Sequence, residues 1–67
     1  MQVTLISLSN PATRYPLDAR YNETLENMLR KFNDFRAPDN QIKILYNRYK
    51  QTIPLNYHLT SDKIFYF

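Results

Sequence analysis

His58 is the only histidine in the chain, and Ser61 and Asp62 follow it closely. Those three residue types are the material of nucleophilic catalysis, in which an imidazole takes a hydroxyl proton while a carboxylate orients the ring. Side chains that neighbour one another in a turn point in different directions, however, and nothing nearby suggests an oxyanion hole. Glu23, Glu26, Asp34 and Asp39 are the other titratable set. General acid–base work needs a positioned partner, and a hard cation needs several converging oxygens. Helix solvation and capping explain these four carboxylates without remainder. The reading is a surface or half-buried histidine, with no catalytic, cofactor-binding or metal-binding constellation.

Composition supports that exclusion. The 67 residues include no glycine, no cysteine and no tryptophan. Average usage of ~7% would give about five glycines. Without them the phosphate-cradling G-x-G-x-x-G and G-x-x-x-x-G-K-[ST] loops are excluded, because their chemistry needs a backbone with no Cβ. Without cysteine there is no disulfide framework, thiolate metal site or cysteine nucleophile. Chemistry by contact is left. Phe and Tyr make up 15% of the chain, and Lys43, Arg48, Lys50 and Lys63 gather near its second half. Net charge is +3 and the isoelectric point is near 9.4, mildly basic values that suit an acidic protein partner, weak nucleic-acid attraction, or simply solubility.

The elements that must position these residues are short. Residues 2–8 (QVTLISL) alternate with Val3 and Leu5 on one face, and 13–19 (TRYPLDA) with Tyr15, Leu17 and Ala19. The Ser9-Asn10-Pro11-Ala12 cluster turns between them, and Pro16 confines the second strand to a sheet edge with its missing N–H toward solvent. Over 22–36, Leu25, Met28, Leu29, Phe32 and Phe35 form the apolar stripe of a helix, capped by Asn22 or Thr24 and stopped by Pro38. Residues 41–46 (QIKILY) predict a third strand, with Ile42, Ile44 and Tyr46 on one face and Lys43 and Leu45 on the other. Asn47-Arg48 predicts a tight turn with positive φ at Asn47, and 49–53 a short return strand. One helical turn at 55–59 and a last strand at 64–67 complete a β-β-α-β-β-turn-β order in a single domain, 1–67. The expected class is α+β. No apolar run approaches the ~18 residues of a membrane span, and the start lacks the basic and apolar regions of a signal peptide. A cytoplasmic location is expected. Abundant Asn, Tyr, Ile and Phe suggest AT-rich coding, as in a virus, phage or AT-rich microbe.

That order resembles the ubiquitin-like β-grasp family over essentially the whole chain. Met1-Gln2-Val3 resembles ubiquitin's first strand, and Glu23-Thr24-Leu25-Glu26-Asn27-Met28 its helix opening, D-T-I-E-N-V. Pro38-Asp39-Asn40-Gln41 is similar to P-D-Q-Q, and Leu55-Asn56-Tyr57-His58-Leu59 to L-S-D-Y-N-I, one residue shorter. The resemblance implies a mixed sheet of four to five strands, order 2-1-5-3-4, packed on one helix. Conjugated and sulfur-carrying members end in a Gly-Gly tail, whereas this sequence stops at Phe67 within the last expected strand. The expectation is a non-conjugated type that docks without covalent attachment.

The resemblance also places a docking surface. Carried over by position it comprises Leu8, Lys43 and Leu45 with Phe65 and Phe67, bordered by Arg48. This requires Ile64 and Tyr66 to face the helix, so that alternation turns Phe65 and Phe67 outward. A register one residue over on the third strand would expose Ile44 and bury Lys43, an implausible place for a lysine. Exposed aromatics beside cations are usual interface hot-spot material. The expected function is non-covalent docking on, and modulation of, a larger protein, with inhibition of a host protein if the source is viral or phage. The alternative is a small basic nucleic-acid-binding β-grasp protein, using stacking and phosphate contacts. Closure of the sheet face into a homodimer stays open, as does the monomer.

Overall fold

Val3 and Leu5 are fully buried while Gln2 is exposed and Thr4 half-buried, as alternation requires of a strand with one face on a core. A computed structural model describes the whole chain, Met1–Phe67. Its elements are β1 (Gln2–Ile6), β2 (Arg14–Asp18), α1 (Leu25–Asn33), one turn of 3₁₀ helix at Pro38–Asn40, and β3 (Lys63–Tyr66). The fold is α+β, a three-stranded mixed sheet with one helix. Strand order is β2-β1-β3, with β1 antiparallel to β2 and parallel to β3. No helix is long and apolar enough to cross a membrane.

Pro16 lies mid-way along the edge strand. Its neighbours Tyr15 and Leu17 stand opposite Leu5 and Val3, and the flanking bonds Ala19 N–H to Met1 C=O (2.8 Å) and Ser7 N–H to Thr13 C=O (3.1 Å) fix which residues face β1. The ring nitrogen of Pro16 therefore points away from the sheet. An intruding strand would find no donor there.

The helix is shorter than the expected 22–36. Thr24 is its N-cap, its hydroxyl accepting the Asn27 N–H at 3.2 Å. The Leu25 and Glu26 amides, orphaned at any helix start, donate to the Tyr57 and Leu55 carbonyls at 3.0 and 2.9 Å. The 55–59 segment thus lies across the helix start, with Leu59 buried and Leu55 exposed. Leu25, Met28 and Leu29 enter a core built with Val3, Leu5, Ile42, Leu45, Leu59 and Phe65. Phe32 packs at its border. Phe35 does not follow, being 93% exposed. The helix ends because Asn33 has another task. Its amide donates to the Ile42 carbonyl (2.8 Å) and its side-chain oxygen accepts the Ile42 N–H (2.9 Å).

The strands expected at 41–46 and 49–53 are absent, so the sheet has three strands and not four to five. Ile42 and Leu45 are both buried while Lys43 and Ile44 are both exposed, a spacing of three that no pleated strand produces. Lys43 stays out of the core without any register slip. Single antiparallel bridges join Tyr46 to Tyr66 and Tyr46 to Thr52. Asn47 shapes the following turn through its side chain, whose oxygen accepts the Tyr49 and Gln51 amides at 2.8 and 3.0 Å. Positive φ falls on Asn22 (69°) and Lys50 (64°), not on Asn47.

Candidate functional site

His58, Asp62 and Glu23 are tied into the backbone or to a neighbouring side chain, whereas the Glu26, Asp34 and Asp39 carboxylates make no hydrogen bond or ion pair. His58 Nδ1 lies 3.0 Å from the Asn22 carbonyl, which can only accept, so the proton resides on Nδ1. Asp62 accepts the Gln2 N–H at 2.9 Å, and no hydrogen bond links His58 to Ser61 or Asp62. Glu23 accepts from the Arg20 N–H (2.9 Å) and the Asn27 amide (2.6 Å), and pairs with Lys31 at 2.7 Å. The Lys31 ammonium, opposed by partial burial and helped by the two amide donors, holds its carboxyl below the ordinary range. Glu23 therefore locks the helix start. No three His, Asp or Glu side chains converge as a metal site would require.

The outer sheet face is arranged differently. Successive residues of β3 alternate, and Phe65 stands opposite Leu5, so it points into the core and is 5% exposed. Ile64, opposite Thr4, points outward and is 57% exposed. This is the reverse of the expected phase. Phe65 and Leu45 are core residues and do not belong to an exposed docking surface; Leu45 is fully buried. Phe67 is half-buried, stacked on Tyr15 at 5.8 Å. Leu8, Lys43 and Arg48 remain accessible.

The residues that replace them outside are Ile64, Tyr66 and Thr4, with Tyr49 exposed in the turn beyond. They line a groove of about 770 Å³ that also takes in Ile53 and Tyr57. The Tyr57 ring meets Phe65 edge-on at 6.2 Å. Arg48 and Lys63 stand at the groove as cations without a carboxylate, since the chain's only ion pair is Lys31–Glu23. The guanidinium of Arg48 lies 4.9 Å from the Tyr49 ring centroid and donates to its hydroxyl at 2.8 Å. Asp62 is the groove's one carboxylate, and it is engaged with Gln2.

The signal for this phase lay in the pairing partner. Val3 and Leu5 mark the buried face of β1, and a parallel neighbour must bury the residues opposite them. Ile64 to Phe67 is apolar at every position, so its own pattern cannot choose a face. No protein-family model matches the chain, and no curated protein matches it in sequence.

Proposed function

We propose that this chain is a ubiquitin-like β-grasp module that docks non-covalently on a larger protein through its outer sheet face and modulates that partner. The β2-β1-β3 order, antiparallel then parallel, supports the β-grasp reading. The Tyr46–Tyr66 and Tyr46–Thr52 bridges follow outward in the sense of the 2-1-5-3-4 order, each reduced to one residue pair. A cytoplasmic partner accompanies this reading, a host protein if the gene is viral or phage.

One observation carries the docking role. Ile64 sits 57% exposed at mid-strand, beside an open groove with aromatic walls and two unpaired cations. A large apolar side chain ringed by aromatics and arginine is the composition of an interface centre. The alternative use of the same cations is single-stranded nucleic acid, with Tyr49 as a stacking platform. Two cations, Arg48 and Lys63, are few for a phosphate backbone, which favours a peptide there.

Immobilised wild-type chain should retain a partner from native lysate, and Ile64→Ser and Tyr49→Ser should each release it without changing the melting temperature. Retention by Ile64→Ser contradicts docking through this face. A captured species that is nucleic acid, lost steeply as salt rises, selects the alternative.

A further inference from the structure

In the β1–β3 ladder, Phe67 donates to the Ile6 carbonyl at 3.1 Å and accepts from the Leu8 N–H at 2.7 Å. A parallel pair alternates which residues face the neighbour. Phe65 and Lys63 therefore also face β1, while Tyr66 and Ile64 present their N–H and C=O groups to the opposite side. Tyr66 is satisfied there by Tyr46, both bonds being 2.8 Å. In an antiparallel continuation the residue opposite Ile64 would be Arg48. The chain has already turned, with the Asn47 N–H donating to the Gln51 carbonyl at 2.9 Å and Lys50 at φ 64°. Ile64 thus holds an unpaired backbone donor and acceptor on the open edge of β3, at the groove.

We propose that this edge receives an extended acidic peptide of the partner, added antiparallel as a short strand against Ile64. The proposal rests on the docking role of the outer face and specifies its mode. Free backbone groups beside side-chain pockets are what strand addition uses. Pro16 leaves the other edge without its central donor, whereas Ile64 keeps both groups. Charge selects the occupant's chemistry: Arg48 and Lys63 flank the position unpaired, and Asp62 is already bonded to Gln2. Apolar side chains of the peptide would alternate toward Ile53 and Tyr57.

The test is amide exchange and chemical-shift titration of the intact chain with a capped peptide of alternating glutamate and valine. Binding should slow exchange of the Ile64 amide at least tenfold. A matching peptide N-methylated at its central residues, which keeps the charges but removes backbone donors, should bind at least tenfold more weakly. The doubly reversed variant Arg48→Glu, Lys63→Glu should lose the acidic peptide and gain a lysine–valine one. Unchanged Ile64 exchange at saturating peptide, or equal binding of the N-methylated peptide, overturns strand addition. So does protection of Ile64 by an oligothymidylate in preference to the peptide. Partner capture separates the two levels. If Ile64→Ser abolishes capture while the peptide leaves the parent's Ile64 amide unprotected, strand addition fails and docking through the face stands; if capture persists and that amide is also unprotected, both fail.

Discussion

Tyr46 and Tyr66 exchange both backbone hydrogen bonds at 2.8 Å, and no other backbone bond ties the 41–53 segment to β3. Two residues earlier on the strand, Ile64 has no such partner. In the free protein the Tyr46, Tyr66 and Phe65 amides should therefore exchange slowly and the Ile64 amide quickly, although it lies mid-strand. Hydrogen exchange followed by NMR reads this directly. Comparable protection at Ile64 and Phe65 would mean that the edge is covered.

Core and face residues should separate cleanly in a stability series. Leu45→Ala should cost about 2–5 kcal/mol and Phe65→Ala about 3–5 kcal/mol, enough to unfold a domain of this size. Ile64→Ala and Ile44→Ala, at exposed positions, should stay within about 0.5 kcal/mol. Urea unfolding monitored by circular dichroism checks the contrast. An inverted order would restore the opposite strand phase.

Asn33→Ala should destabilise more than an exposed helix position normally does. Its side chain carries both backbone groups of Ile42, a buried residue, and its loss leaves an N–H and a C=O unpaired. The expected cost is about 1–3 kcal/mol per buried group left unsatisfied. Asn33→Asp keeps the acceptor but loses the donor, and should fall between alanine and the parent.

Glu23 links stability to pH. Its carboxyl titrates below its ordinary value of 4.5 because the Lys31 ammonium and two amides favour the anion. A lowered folded-state pKa gives stability that is complete above the unfolded value and lost as pH falls through the folded one. Unfolding free energy should thus decline below about pH 4.5, and Glu23→Gln should flatten that decline while lowering stability at neutral pH. An identical acid profile in the variant would remove Glu23 from the helix start.

Phe35 supplies a control. It is the most exposed large apolar side chain, and it lies beyond the end of α1 and outside the groove lining. Phe35→Ser should leave both stability and partner capture unchanged.

Local patterns reached as far as local forces decide the structure. Val3 and Leu5 alternate against one core, Pro16 can sit only at an edge, and Leu25, Met28 and Leu29 share a helix face. Those were readable, as was the accessibility of Leu8, Lys43 and Arg48. The phase of β3 was not, because Ile64, Phe65, Tyr66 and Phe67 are all apolar and the choice falls to Leu5 across the ladder. The lost third and fourth strands were also hidden. Asn33 takes the Ile42 backbone across nine residues of chain, and Asn47 closes its turn early through its side chain. Side-chain bonds of this kind leave no periodicity. The outward-facing set differs accordingly, with Leu45 and Phe65 buried and Ile64 and Tyr49 exposed.

Partner capture by Ile64→Ser and Phe35→Ser, side by side with the parent chain, tests docking through the outer face most directly. Loss of the partner with Ile64→Ser and retention with Phe35→Ser is the expected result. Retention with Ile64→Ser, or loss with Phe35→Ser alone, would place the interface elsewhere and contradict it.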